Sequence, residues 1–304
     1  MDHITYALFI SVHCITLMLK NPAKTFLILI LKWLGIAALY FFLAKVSLTY
    51  FAPNGYGSIF FLASGLAAGA LLLGGQKLAL GIFLGSLLNN VLRGDPFGAS
   101  LCIAAGSTLG ALFGFWLLTY KNQFKNKLLT LHDFFQLIIW SGLVGSLVSA
   151  LIGSTVLWLS NINTAHDYLT NLSHWWMGDA LGVILFTPLL LIWMQNPFSE
   201  SDNNNIVEII LVVSLTLFVG QLIFVGWHTP LFSDSLNQPS NRFWMFLFIT
   251  WIAGRLGPQW TILTLNILTI QLVSGVFESA DSLNGEPDAS DVTIFGFSLS
   301  FYRL

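Results

Sequence analysis

The chain has 304 residues, of which 56% are hydrophobic and 9% are charged, and its formal net charge is −2. A soluble domain carries about 25% charged residues, so this composition excludes a protein whose surface mostly faces water. It indicates a polytopic helical membrane protein with the lipid bilayer as its partner. The lysines at 121–127 form the longest basic cluster, and no nucleic-acid partner is expected.

Apolar stretches long enough to be helices follow one another along most of the chain. A membrane helix needs about 20 mostly apolar residues. The predicted spans are 25–51, 58–74, 77–93, 97–119, 133–160, 168–194, 206–227, 242–256 and 258–277. Residues 292–304 look like the opening of one more. The predicted fold class is therefore all-α, a polytopic transmembrane bundle of about 8 to 10 spans with the last one cut short. Residues 1–24 are predicted to be an N-terminal extension or an interfacial helix that precedes one membrane domain, 25–304.

Two features of the loops set the predicted topology. Lysines lie before the first span, in the 74–77 hairpin and at 121–127, whereas the loops 52–57 and 161–167 have none. This alternation predicts a cytoplasmic N-terminus.

The stretch 242–277 is interrupted by the helix-breaking residues Gly254, Gly257 and Pro258. We interpret it as two spans rather than one long helix.

Small residues recur at four-residue spacing on several predicted helices. The series are Gly65/Gly69, Gly81/Gly85, Gly106/Gly110/Gly114 and Ser141/Gly145/Ser149/Gly153. Residues four apart share one helix face, and small side chains there let two helix backbones approach closely. These series predict a tightly packed bundle and say nothing about function.

The segment from Trp175 to Trp193, WWMGDALGVILFTPLLLIW, contains the most informative residue of the chain. Asp179 is an acid inside a stretch that is apolar enough to cross a bilayer, and such residues are costly and usually retained for a partner, a ligand or a proton. The candidate site residues on this helix are Trp175, Trp176, Asp179, Gly182 and Pro188. Trp175 and Asp179 share a face, and Pro188 would loosen the helix. The alternative is that Asp179 only holds helices in register.

Arg255 is the candidate partner of Asp179. It stands at the predicted helix break, WIAGRLGPQW, and it would be deep in the membrane if 242–277 were a single span. In the split interpretation it lies nearer the cytoplasmic face, where its charged end would reach water instead. Asn89 and Asn90 are further candidates at the end of the third span, either as the polar rim of a cavity or as simple helix caps.

Catalytic chemistry finds little support in the sequence. An aspartyl protease needs two facing acids, a serine site needs a nucleophile and a base together, and only one deep aspartate is present. The spacing of His166, Asp167 and His174 matches no strong metal pattern, and neither cysteine has metal or disulfide spacing. No enzyme activity, metal or cofactor is expected.

The motifs together resemble a known family, the first family of membrane-associated sensor domains. WWMGDALGVILFTPLLLIW resembles the family's W-x-G-D-x-x-G…P hallmark, SGLAAGALLLGGQKLALGIFLGSLLNN at 64–90 its glycine-rich hairpin, and WIAGRLGPQWTILTL at 251–265 its W-x-x-x-R-x-G signature. Tyr40 also agrees in position. The resemblance covers roughly residues 26–304. It implies an integral input module of a bacterial signalling protein, followed in that family by a cytoplasmic kinase or a cyclic-di-GMP enzyme, of which these residues contain no pattern.

The resemblance and the residues lead to one main functional hypothesis. The chain is expected to be a sensor domain of the bacterial inner membrane that passes a stimulus to a cytoplasmic output domain or partner protein, with a homodimer as a further expectation. A small-molecule transporter is the alternative, because a broken helix and a mid-membrane acid suit it equally well. A purely structural anchor, which needs no polar site, is the third hypothesis.

Overall fold

The computed structural model describes residues 22–52, 57–121, 124, 128, 130–195, 206–225 and 243–282. These residues form nine helices and no strand, which confirms the predicted all-α, polytopic bundle. The first four are α1 Pro22–Tyr50, α2 Leu62–Gly74, α3 Ala79–Arg93 and α4 Phe97–Trp116, which continues as a π-helical turn, Leu117–Lys121. The fifth, α5, comprises Leu131–Gln136, the π-helical segment Leu137–Gly145 and Ser146–Leu159.

The remaining helices complete the bundle. They are α6 Tyr168–Gln195, α7 Ile206–Gly220 with a π-helical end Gln221–Val225, α8 Trp244–Arg255 and α9 Pro258–Ser282. In the described part of the chain, five helices are long and apolar enough to cross a membrane: Lys24–Tyr50, Phe97–Tyr120, Leu131–Leu159, Tyr168–Met194 and Ile206–Phe224. Shorter apolar helices are Leu62–Gly74 and Trp244–Arg255. The predictions for 1–21 and 292–304 lie outside the described residues.

The break between α8 and α9 confirms that 242–277 contains two helices and not one long helix. α8 ends at Arg255, and α9 begins at Pro258. Gly257 has a φ of +84°, in the left-handed region that glycine adopts at low cost. Proline suits the first position of the next helix because it has no N–H group to leave unpaired. The two helices are therefore separate elements with a sharp turn between them.

Helix α6 lies at the centre of the bundle and packs most extensively against α2. Its residues Leu181 and Leu185 join Phe60, from the segment before α2, and Val273 of α9 in one apolar cluster. Helix α1 is peripheral, and only 6% of its most apolar part is buried inside the bundle. Its exposed side chains include Phe26, Leu31 and Phe42, as expected for a surface that faces lipid.

The small-residue series lie at close helix contacts, as predicted. A Cβ atom on Gly65 would collide with the carbonyl oxygen of Gly182 across the α2–α6 contact. A Cβ atom on Gly110 would meet the carbonyl oxygen of Gly145 at 2.7 Å across the α4–α5 contact. Small residues at these positions allow the backbones to pack this closely, and the packing positions the side chains of α5 and α6 described below.

Candidate functional site

Asp179 lies inside the bundle near the middle of α6, roughly 16 Å from the start of the helix at 1.5 Å per residue. Its side chain is only 4% exposed. The Oδ1 atom is buried and has no hydrogen-bond partner among the described residues. A buried polar atom without a partner is rare in folded proteins, and each case needs an explanation.

The Asp179 side chain lines a cavity inside the bundle. It lies between five helices, and its lining includes hydroxyl side chains together with Asp179. These are Tyr40 of α1, Ser64 of α2, Ser107 of α4, and Ser141, Ser146 and Ser149 of α5. We call this space the Asp179 cavity. Its volume is about 20 Å³, which is room for the centres of one or two water-sized molecules.

The hydroxyl groups of this cavity differ in their bonding. Ser64 Oγ lies 2.7 Å from the carbonyl oxygen of Phe61 and 2.9 Å from that of Asp179, and so can donate to backbone oxygens of both segments. Ser149 faces the Asp179 carboxyl from α5, but its buried Oγ makes no hydrogen bond in the described structure. The Asp179 carboxylate and Ser149 therefore retain unused bonding capacity in the same cavity.

A second cavity, of about 30 Å³, adjoins the first. The two share Tyr40 and Ser107, and the phenol of Tyr40 faces the hydroxyls of Ser86 and Ser107. Its polar lining also includes Asn89, Asn90 and Arg93 near the end of α3. We call it the rim cavity. Tyr40, Ser86 and Ser107 thus connect the end of α3 to the neighbourhood of Asp179.

The asparagines Asn89 and Asn90 have the placement that the polar-rim alternative requires. Both are buried. The end of α3 is capped by Gly94, whose N–H group donates to the backbone oxygens of Asn90 and Val91, and not by an asparagine side chain. Arg93 at the rim bonds Asp95 through Nε at 3.0 Å and through a second guanidinium nitrogen, so its charge is compensated there.

The two tryptophans before Asp179 have different positions. Trp175 lines the rim cavity and faces the Asp179 carboxyl, and its ring packs on Gly153 of α5. Trp176 instead donates from Nε1 to the carbonyl oxygen of Leu143, at 2.8 Å. Leu143 belongs to the π-helical segment of α5, so Trp176 braces that segment and does not line either cavity.

Gly182 and Thr187 contact the α2 side of the bundle from α6. A Cβ atom on Gly182 would collide with the carbonyl oxygen of Phe61. Pro188 is buried inside α6, which continues to Gln195. Beside it, Thr187 Oγ1 donates to the carbonyl oxygen of Gly65 at 3.0 Å. Gly182 and Thr187 therefore hold α6 against α2, and Gly182, Thr187 and Pro188 are not among the residues that line the Asp179 cavity.

The hypothesis that Arg255 pairs with Asp179 is wrong. Arg255 Nε lies 2.6 Å from Glu208 Oε1, and the Arg255 side chain is 62% exposed. The split of 242–277 is the physical reason, because it places Arg255 at the end of α8 beside the first turn of α7. Asp179, in contrast, is buried in the middle of α6.

His166 and Asp167 lie in the loop before α6, and His174 lies in the first part of α6. No group of three histidine, cysteine, aspartate or glutamate side chains suited to a metal occurs within the described part of the chain. His166 and Asp167 are exposed in the loop before α6. The Thr164 hydroxyl donates to Asp167 at 2.6 Å and lowers the pKa of that carboxyl below its ordinary value.

Three parts of the site are beyond the sequence prediction. The sequence distinguishes Tyr40 only by its family position and Ser149 only as a small residue, and yet both line the Asp179 cavity. The π-helical segment Leu137–Gly145 has no signal in its residues. Such segments are rare and often occur at functional sites. Here the segment contributes Ser141 and Gly145 to the cavity lining.

Comparison with known proteins gives a single answer. No curated protein and no solved structure matches the chain significantly. The sequence profile of MASE1, a family of membrane-associated sensor domains, matches residues 7–302, which is nearly the whole chain. The helical bundle, the glycine contacts and the buried aspartate of the hallmark segment are therefore those of a member of the MASE1 family, to which this chain belongs.

Proposed function

We propose that the chain is the membrane-embedded input domain of a bacterial signal-transduction protein, and that Asp179 is the group through which it responds to a stimulus. One observation carries this proposal: the buried carboxylate has an unpartnered oxygen in a cavity where five helices meet. A carboxylate kept at membrane depth with a buried, unpartnered oxygen is a functional-site hypothesis by default. Any change in its charge or occupancy acts on all five helices.

The connections of α6 offer a route from the cavity to the end of the described chain. Asn266 of α9 donates from Nδ2 to the carbonyl oxygen of Leu185, at 3.0 Å. The rings of Trp193 and Trp260 meet edge to face, with centroids 5.6 Å apart. A shift between two packings of α6 would therefore carry α9 with it, which is the kind of discrete rearrangement that packed helices permit.

The proposal also covers the orientation of the chain in the membrane and the domain that receives its signal. With the N-terminus in the cytoplasm of a bacterial inner-membrane protein, the end of α3 and the rim cavity face the outside. The Asp179 cavity then lies deeper in the membrane. The signal would pass inward to a cytoplasmic kinase or cyclic-di-GMP enzyme, either as an output module or as a partner protein. A homodimer of the chain is part of the same proposal.

A transporter is the second candidate function, and the same cavity favours it. Binding residues near the middle of the membrane and a polar path toward one side are what a carrier needs. The two functions differ in outcome, because a carrier accumulates substrate inside vesicles and a sensor does not.

A reporter fusion tests the leading proposal. The chain is joined to a diguanylate cyclase module and screened over salts, pH values and small molecules, with Asp179→Asn as the variant. We expect a condition that changes cyclase output in the wild type and has no effect in the variant. Asp167→Asn removes a comparable charge from an exposed loop and serves as the matched control, which should respond normally.

Two results would count against the sensor proposal. One is a response of Asp179→Asn that equals the wild-type response. The other is uptake of a solute by proteoliposomes that Asp179→Asn abolishes, which would favour the transporter.

A further inference from the structure

When ionised, the Asp179 carboxylate has no positive counter-charge among the described residues that line its cavity. Among the described residues, this lining contains one carboxylate and no lysine, arginine or histidine, and Tyr40 and Asp179 are its titratable side chains. An ionised carboxylate that is buried without a partner is strongly unfavourable. A positive charge that enters the cavity, or a proton, must offset it whenever the bundle is closed around Asp179.

The donor atoms that line the cavity favour some classes of cation over others. The polar side chains that line it offer oxygen atoms, from the Asp179 carboxylate and from the serine and tyrosine hydroxyls. Oxygen donors suit hard cations rather than transition metals, which favour imidazole or thiolate. One carboxylate balances one positive charge. A divalent cation would leave an uncompensated charge in the interior.

The size of the cavity further limits which positively charged ligand could occupy it. A volume of about 20 Å³ for the centres of water-sized molecules suits a dehydrated ion or a water molecule better than a bulkier organic ammonium ligand. The two groups with unused bonding capacity, Asp179 Oδ1 and Ser149 Oγ, come from different helices and line this same space. An ion held between them would link α6 to α5.

The rim cavity is the side from which a cation would reach the Asp179 cavity. It shares the hydroxyl-bearing residues Tyr40 and Ser107 with the Asp179 cavity and lies between that cavity and the end of α3. Arg93 at the rim is paired with Asp95, which removes the repulsion that a free arginine would exert on an entering cation.

We propose that the Asp179 cavity binds a small monovalent cation of about the size of Na⁺, with the Asp179 carboxylate as counter-charge and Ser149 as a ligand. This inference rests on the proposed function for its consequence, which is that occupancy couples α6 to α5. Binding itself is measured without any signalling output, so the two proposals fail separately.

The test is direct binding of ²²Na⁺ to the purified full chain in lipid nanodiscs, measured by scintillation proximity at constant pH, with choline chloride holding the ionic strength. We expect saturable binding that excess Na⁺ or Li⁺ displaces and that tetramethylammonium does not. Asp179→Asn should abolish it. Ser149→Ala should weaken it by about tenfold, because a ligand to a charged group is lost. Asp167→Asn should bind as the wild type does.

Ser149→Ala keeps the experiment decisive if Asp179→Asn does not fold, because it changes a single hydroxyl group. Absence of saturable ²²Na⁺ binding to the wild type would overturn the inference, including the case in which the cavity only takes up a proton. Binding that both Asp179→Asn and Ser149→Ala retain in full would overturn it as well. In either case a normal response of the cyclase fusion would leave the sensor proposal standing.

Discussion

Asn266 of α9 donates a hydrogen bond to the carbonyl oxygen of Leu185 of α6, over 3.0 Å, and both residues are buried. The two positions are 81 residues apart in the chain. Leu185 lies between Asp179 and Pro188 on α6, so this bond ties the helix that carries the buried carboxylate to the last helix of the described structure.

Asn266→Ala is expected to weaken the coupling of α9 to α6 without changing the Asp179 cavity. The variant should lose about 0.6 kcal/mol of stability, a typical value for a hydrogen bond between membrane helices, and its cyclase fusion should respond over a reduced range. Thr269→Ala is the matched control, because Thr269 is equally buried but bonds only within its own helix, to Leu265. An Asn266→Ala fusion with the full response range would show that α9 is not coupled through this bond.

Gly182→Ala is expected to open the contact between α6 and the segment before α2. The added methyl group collides with the carbonyl oxygen of Phe61, and such overpacking costs about 1–3 kcal/mol. Thermal unfolding in detergent should show a lower Tm. Gly254→Ala on α8, where a methyl group meets nothing within 4 Å, is the control. Equal Tm values for the two variants would mean that the close α2–α6 packing described here is absent.

Trp176→Phe is expected to destabilise the π-helical segment of α5. It removes the donor to the Leu143 carbonyl oxygen while keeping an aromatic ring, and the loss of one hydrogen bond costs about 0.5–1.5 kcal/mol. The free energy of unfolding measures this effect. Trp158→Phe on the exposed face of α5 should leave that free energy unchanged, and a loss as large as that of Trp176→Phe would argue against a specific brace.

The ion pair between Arg255 and Glu208 is expected to contribute little. It is exposed, with the Arg255 side chain 62% accessible, and exposed ion pairs are weak. Arg255→Gln and Glu208→Gln should each shift Tm only slightly, and the double variant should resemble either single one. Rescue of Arg255→Asp by Asp179→Arg would instead restore the pairing that the structure contradicts.

The sequence predicts the helices of this fold well because each one is a long apolar stretch in a chain with few charges. The break at Gly257 and Pro258 was likewise predictable from residues that end helices. The glycine series predicted close contacts, since small residues at four-residue spacing have few other uses in a membrane helix. These signals are local, and each can be read within one turn or one span.

The arrangement around Asp179 depends on contacts between distant parts of the chain. Nothing in the sequence near Arg255 points to Glu208, which is 47 residues away, and the depth of Arg255 depends on where α8 ends. Ser149 has the same spacing as its neighbouring small residues, and only the rotation of α5 against α6 turns it toward the carboxylate. The π-helical segment changes that rotation, and its residues Leu137–Gly145 read as ordinary apolar helix.

The stability of Asp179→Asn in Na⁺-free buffer tests the central claim most directly, because asparagine has nearly the same shape without the charge. If Asp179 is kept for a signal, the variant gains or retains thermal stability while its cyclase fusion no longer responds, since an unpartnered buried charge has been removed. If Asp179 instead ties helices together, the variant unfolds at a markedly lower temperature than the wild type. That result would contradict the account.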